Sequence, residues 1–412
     1  MIEFDKFTLK NGLRVIVHRD ETTPMAAVNI LYNIGAKDEN PERTGFAHLF
    51  EHLMFGGSVN IPNYDEPLQM VGGDNNAWTN NDITNYYLTV PKANLETAFW
   101  LESDRMLSLA FSEKSLEVQR SVVIEEFKQR YFNQPYGDVW LHLRPLAYKE
   151  HPYQWPTIGK SIDHIEKVTL EEVKDFFFHH YAPNNAIMVV AGNVDTQQVK
   201  ELSEKWFGPI ERREVPERNL PVEPVQNEFR SKRIDSNVPF DAIYMAFHMG
   251  KRMDEDFYIV DLVSDVLSNG QSSRIFQALV KEKNLFSSID AYITGEFEPS
   301  LFLITGKLVE GVEMETAEAA IWEELNKIAT TKVNEYELQK VKNKVESTLV
   351  FSEISYLNKA MNLATHELLG EANDINKEVD KYQKVSVDDI LNSSAKIFRK
   401  ENCSTLYYYS KK

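Results

Sequence analysis

The sequence contains one pattern twice, and this repetition constrains the fold more than any other feature of the chain. Residues 24–35 begin with proline, continue with apolar residues and end with glycine, and residues 239–250 have the same length and pattern. At the offset of 215 residues that relates the two, Ser58 coincides with Ser273. Such repetition indicates a structural unit that occurs twice. It predicts an α+β fold with two homologous repeats, each a mixed, mostly antiparallel sheet with helices packed on it.

A segment of different composition separates the two halves. Residues 208–230 are rich in charges and lack an apolar period, and they contain four prolines: Pro209, Pro216, Pro221 and Pro224. This composition is typical of a linker between domains. We therefore expect an N-terminal repeat over residues 1–210, a linker over residues 211–230 and a C-terminal repeat over residues 231–412.

Local signals predict several elements of the first repeat. Alternating apolar residues over residues 4–18 surround Asn11-Gly12, a pair typical of a two-residue hairpin turn. Residues 26–34 read as a strand, and residues 112–132 have the pattern of a long helix. Thr169 and Glu172 form a capping box that opens a further helix.

Composition and charge exclude several classes of function. The net charge of −18 argues against nucleic-acid binding, which needs a basic surface. No apolar run approaches the roughly 20 residues of a membrane span. Residues 1–6 do not resemble a signal peptide, and the single cysteine, Cys403, excludes an internal disulfide. We expect a cytoplasmic protein, or a periplasmic one if a leader peptide has been removed.

One short motif carries chemistry. His48 and His52 are four residues apart, so on a helix they share one face, with Glu51 beside them. Two imidazoles and a carboxylate suit a zinc hydrolase, which needs metal ligands and a general base. The order His-x-x-Glu-His is the inverted form of the commoner zinc-protease motif.

The repeat offset predicts that only one half binds a metal. His48, Glu51 and His52 fall on Val263, Val266 and Leu267 in the second half. Apolar side chains at these positions indicate a helix that is part of the core. We therefore expect one Zn²⁺ per chain.

A third protein ligand is needed, because catalytic zinc sites use three and leave one position open. The predicted helix over residues 112–132 is the best source, and it carries Glu125 and Glu126 next to each other. Most glutamates lie on solvated helix faces. The residues alone therefore leave both candidates open.

Taken together, these motifs resemble the M16 metallopeptidases, the group of insulysin, pitrilysin and the mitochondrial processing peptidase. The length, about one M16 half-enzyme, resembles the processing-peptidase-like (M16B) branch. The resemblance extends over nearly the whole chain, and it is carried by residues 48–52, 72–73, 76–79, 122–126, 151–153, 158–159, 180–186, 189–194 and 272–276.

The resemblance implies a role for each motif residue. His48 and His52 match the zinc ligands of the family, and Glu51 matches its general base. The third ligand falls on Glu126, because the family's ligand directly precedes the apolar position that Phe127 occupies here. The family often has another glutamate seven residues earlier, where this chain has Gln119, an amide that can order the site but adds no charge.

The resemblance also implies how a substrate is held. Residues 75–79 resemble the edge strand on which M16 enzymes lay an extended peptide, so Asn76 and Ala77 are the expected contacts. A turn-forming role for Asn76 is the alternative. Substrates would be unfolded peptides or flexible segments.

A departure in the second half points to a partner. Active M16 assemblies place an arginine and a tyrosine, seven residues apart, opposite the zinc. The matching positions here are Val280 and Ser287, and neither can replace those side chains. We therefore expect a zinc-dependent endopeptidase that is the catalytic half of a heterodimer with a homologous subunit lacking the metal motif. The alternatives are a self-sufficient homodimer, in which Lys281 or Tyr292 compensates, and a structural subunit of an assembly.

Overall fold

A computed structural model describes residues 1–411, and the first sheet in it has six strands. Their spatial order is β1-β2-β6-β3-β5-β4, and only the β2–β6 pair is parallel. The predicted hairpin is present, but its turn is longer than the two residues predicted: the N–H of Leu9 donates to the carbonyl oxygen of Leu13, and Gly12, at φ +94°, is the last of the three residues between them. The strands are β1 (Asp5–Thr8), β2 (Arg14–Arg19), β3 (Met25–Tyr32), β4 (Asp74–Thr79), β5 (Thr84–Pro91) and β6 (Ala186–Gly192).

The second sheet repeats this topology. Its order, β7-β11-β8-β10-β9, corresponds strand for strand to β2-β6-β3-β5-β4, and again one pair, β7–β11, is parallel. At the offset of 215, each strand of the first sheet after β1 meets its counterpart to within three residues. The strands are β7 (Arg230–Ser236), β8 (Ala242–His248), β9 (Phe286–Ile293), β10 (Leu301–Leu308) and β11 (Cys403–Ser410). The prediction of an α+β fold with two homologous halves is confirmed.

Fourteen α-helices accompany the sheets in residues 1–411. The capping box of Thr169 and Glu172 opens α7 as predicted. The helices are α1 (Phe46–Leu53), α2 (Asp65–Met70), α3 (Leu95–Leu107), α4 (Glu113–Phe127), α5 (Val139–Ala147), α6 (Ile162–Glu166), α7 (Leu170–His180), α8 (Thr196–Trp206), α9 (Asp256–Ser268), α10 (Met314–Thr330), α11 (Glu335–Ser352), α12 (Tyr356–Leu369), α13 (Glu378–Gln383) and α14 (Val387–Ile397). The α4 helix continues as a π-helical turn over Lys128–Phe132, and none of the helices in residues 1–411 is long and apolar enough to cross a membrane.

The chain forms two compact units, and each takes a helix from the other half of the sequence. The first consists of residues 1–127, 156–220 and 350–377, and the second of residues 128–155, 221–349 and 378–412. Helix α12 packs on β6 and β3 of the first sheet, and α5 packs on β11, β7 and β8 of the second. These units do not coincide with the contiguous ranges 1–210, 211–230 and 231–412, which remain a prediction about the repeats.

The two apolar faces of the second sheet explain why α5, from the first half of the sequence, packs on it. In the second sheet, Ile243, Met245 and Phe247 point to one face and pack in the core with α9, α10 and α14. The alternate residues Ala242 and Ala246 point to the other face, which packs against Val139, Leu143 and Ala147 of α5. A sheet with two apolar faces must be covered on both sides.

Candidate metal centre

The predicted motif lies on α1, whose two faces differ in chemistry. Leu49, Phe50 and Leu53 are buried on one side. His48 and His52 lie together on the other, with ring centroids 4.9 Å apart and ring planes at 81°. Their side chains are 12% and 25% exposed, so both imidazoles are only partly accessible to solvent.

Helix α4 brings a carboxylate to these imidazoles. Oε2 of Glu126 lies 3.4 Å from Nε2 of His52 and 3.6 Å from Nε2 of His48. Val123 and Phe127 on the same helix are buried and hold it in place. Glu125, the alternative, is exposed and is not part of this cluster. The geometry therefore favours Glu126 over Glu125.

The donor set fits a zinc ion. Zinc bonds of about 2.1 Å in a tetrahedron place neighbouring ligand atoms about 3.4 Å apart. The two measured distances, 3.4 and 3.6 Å, agree with this value. Two imidazole nitrogens and one carboxylate oxygen leave one tetrahedral position open, as catalytic zinc sites require. Within residues 1–411, this is the only group of three such side chains with metal-binding geometry.

Glu51 lies on the same helix, and its charge acts on two buried tyrosines. Burial raises the pKa of the Tyr86 and Tyr181 hydroxyls far above the usual value, and the Glu51 carboxylate adds to the shift at both. Glu51 itself is half-buried. Glu51 is therefore on the helix that carries both histidines, and its role as the general base remains a prediction.

The predicted substrate strand β4 is an edge of the first sheet, and α1 packs near it. Asn76 is exposed, and its Oδ1 accepts a hydrogen bond of 2.8 Å from the backbone N–H of Ala77. Gln119 is half-buried on α4, two turns before Glu126. The roles of these three residues remain predictions.

Sequence reasoning missed the residue that holds the start of α1. Both carboxylate oxygens of Glu39 accept backbone hydrogen bonds there, from Gly45 at 2.9 Å and from Ala47 at 2.8 Å. Capping signatures concern side chains at the N-cap and third helical position. Glu39 lies outside this window, so no local pattern reveals it.

The corresponding helix of the second repeat has no such site. Val263, Val266 and Leu267 on α9 are at most 1% exposed and belong to the core. Val280 packs against the same core, and the Ser287 hydroxyl donates to the carbonyl oxygen of Lys307 at 3.1 Å. Both residues are therefore used within this repeat.

Two family descriptions match the chain, and the metal-binding cluster lies within one of them. Residues 14–160, which contain the cluster, match the family described as insulinase, peptidase family M16. Residues 167–345 match the domain described as the peptidase M16 inactive domain. The two matches together cover most of the chain, and the metal-binding cluster lies within the match to the peptidase domain.

Individual relatives extend over the full length. The chain is 28% identical to the zinc protease PqqE of Helicobacter pylori, over 98% of this chain and 92% of that protein. It is 24% identical to the mitochondrial-processing peptidase subunit beta of Saccharomyces cerevisiae, over 84% of this chain and 77% of that one.

Solved structures show the same fold. The crystal structure of a protease from Helicobacter pylori superposes with a TM-score of 0.93 and 27% identity, over 99% of this chain and 100% of that one. The fold agrees with the two family matches and with the zinc proteases among the relatives. The chain therefore belongs to peptidase family M16.

Proposed function

We propose that this protein is a zinc-dependent endopeptidase that cleaves extended or unfolded peptides. The observation that carries the proposal is the cluster of His48, His52 and Glu126, with Glu51 on the same helix. Its donor chemistry fits zinc, and three protein ligands leave the fourth coordination position for a water molecule.

His48, His52 and Glu126 would hold the metal through Nε2, Nε2 and Oε2. A zinc ion bound there supplies a Lewis acid and lowers the pKa of water to about 7. Glu51 accepts the proton of the attacking water and delivers it to the nitrogen of the departing amine. Glu126 would contribute one negative charge to the set of zinc ligands, and the neutral Gln119 would add none.

The substrate would lie along β4 as an additional strand. An edge strand offers backbone groups to an extended chain and reads its side chains only weakly. The N–H of Ala77 would donate to the peptide in place of the local bond to Asn76. This mode of binding favours unfolded segments over folded proteins.

We further propose that this chain is the zinc-binding, M16B-type subunit of a heterodimer. The positions expected to carry an arginine and a tyrosine are Val280, packed against the core, and Ser287, bonded to Lys307. A homologous partner without the metal motif would supply that pair. The yeast relative, itself named a subunit of a peptidase, supports this arrangement.

Cleavage of a quenched peptide library tests the proposal. We expect the chain with its homologous partner to cleave, and Glu51→Gln to keep zinc while losing a factor of about 10² to 10⁴ in rate. Glu125→Gln is the matched control, because it removes a neighbouring exposed carboxylate, and it should leave cleavage unchanged. A wild-type chain without zinc would contradict the proposed function, and full activity without a partner would contradict the heterodimer.

A further inference from the structure

We propose that Glu39 is a positioning residue that fixes the metal helix α1 and thereby sets the affinity for zinc; this inference rests on the proposed function. Glu39 does not belong to the ligand cluster, and it lies before the helix in sequence. Glu39 is only 6% exposed, and both of its carboxylate oxygens accept hydrogen bonds from backbone N–H groups at the start of α1.

The first turn of α1 needs such a partner. The N-terminal N–H groups of a helix have no acceptor within the helix, and side chains at the N-cap usually supply one. Here the N-cap is Gly45, which has no side chain and adopts φ +86°. A larger residue is excluded, because a Cβ at Gly45 would collide with the carbonyl oxygen of Ile158. Glu39 supplies the acceptors from outside, and its negative charge faces the positive end of the helix dipole.

Glu39 itself is held by a buried clamp. In the short turn before it, Nζ of Lys37 lies 2.7 Å from Oδ1 of Asp82, and the two side chains are 3% and 1% exposed. The backbone N–H of Lys37 donates to the carbonyl oxygen of Asn81 at 2.8 Å. Residues 80–83 connect β4 to β5, so the clamp joins Glu39 to the turn that follows the proposed substrate strand.

The position of the ligands explains why this arrangement matters for the metal. His48 is the third residue of α1 and belongs to the turn that Glu39 holds, whereas Glu126 is carried by α4. Loss of the Glu39 bonds would loosen His48 relative to Glu126. The buried residues Leu49, Phe50 and Leu53 lie further along α1 and would keep the rest of the helix packed.

A zinc titration of Glu39→Gln tests the inference. An amide offers a single acceptor oxygen and no charge, so we expect the zinc dissociation constant, measured by chelator competition, to rise about tenfold. The visible spectrum of bound Co²⁺ should change as well, because the ligand geometry changes. Asp389→Asn is the matched control: Asp389 caps α14 in the second repeat by accepting the N–H of Ser386 at 2.8 Å.

The outcomes separate the inference from the proposed function. Absence of zinc binding in the wild type contradicts the proposed function. The inference is overturned if Glu39→Gln binds zinc with wild-type affinity and leaves the Co²⁺ spectrum unchanged, while its melting temperature falls as in Asp389→Asn. Glu39 would then be only a structural cap of the helix. If Glu39→Gln does not fold, Glu39→Asp decides, because it keeps the charge and shortens the reach. A raised dissociation constant then supports the inference, and an unchanged one overturns it.

Discussion

Helices α1 and α9 occupy equivalent places in the two repeats, and their chemistry is opposite. At the positions where α1 carries His48, Glu51 and His52, α9 carries three buried apolar residues. The second repeat uses this face for core packing, and the first leaves it polar and partly exposed. The same fold thus accommodates a site in one repeat only by giving up apolar burial there.

The two helices also differ at their N-termini. Helix α9 has 13 residues, eight of them buried, and its N-cap residue Glu255 makes no capping hydrogen bond through its side chain. Helix α1 has eight residues, five of them buried, and the backbone N–H groups of its N-cap Gly45 and of Ala47 donate hydrogen bonds to Glu39. Apolar burial therefore holds both helices, and α1 has in addition the two acceptor oxygens of Glu39 at its N-terminus.

The largest expected effect concerns the third ligand. Glu126→Gln replaces an anionic donor by a neutral one, and we expect zinc affinity to fall by more than the roughly 10–100-fold typical of outer-shell changes. Glu125→Gln, one residue away and exposed, should change nothing. Chelator competition measures both, and equal affinities in the two variants would refute the assignment of Glu126.

The next effect tests the core role of α9. Leu267→His places an imidazole at the position equivalent to His52, where the leucine is fully buried. We expect the free energy of unfolding, measured in urea, to fall by about 3 kcal/mol, because a packed apolar side chain is lost and a polar one is buried. A variant that binds a second zinc ion without losing stability would contradict the distinction between the helices.

A fall in pH should change the free energy of unfolding in opposite directions through one buried group in each repeat. Burial lowers the pKa of His180 on α7 to about 4, so the unfolded chain takes up this proton first as the pH falls below 6.5. Burial raises the pKa of Asp265 on α9 to about 6, so there the folded chain takes up the proton first. Between pH 7 and 5, His180 should cost about 2 kcal/mol of stability and Asp265 should contribute about 1 kcal/mol.

Two substitutions check these signs in urea unfolding at both pH values. His180→Phe should make the protein less sensitive to acid, and Asp265→Asn should make it more sensitive. Shifts in the same direction would show that one of the two groups is not buried as described.

The smallest effect concerns the substrate strand. Ala77→Pro removes the backbone N–H that β4 would offer to a peptide, and an edge strand tolerates proline. We expect KM to rise several-fold, about the worth of one hydrogen bond, with kcat little changed. Ala77→Ser keeps the N–H and should leave KM as it is. An unchanged KM in Ala77→Pro would exclude this N–H from substrate binding.

Much of this architecture could be predicted from the sequence because its signals are periodic or local. The repeat offset predicted two homologous halves, and the i, i+4 spacing of His48 and His52 predicted their shared face. The choice of Glu126 over Glu125 needed the family resemblance, since both residues lie on one helix without a distinguishing pattern.

The remainder depends on contacts that no local sequence pattern specifies. Neither the packing of α5 and α12 on the sheet of the other repeat nor the capping of α1 by Glu39 follows from local spacing. The sheets have apolar faces that need a cover, and the start of α1 has N–H groups that need acceptors. In both cases the folded structure supplies the partner.

The zinc content of the purified chain tests the central claim most directly. Metal analysis of the wild type and of His52→Ala, each dialysed against the same zinc buffer, should give one zinc per wild-type chain and none in the variant. Two zinc ions per wild-type chain, or one retained in His52→Ala, would contradict a single metal centre on α1 and a second repeat that has only core residues in its place.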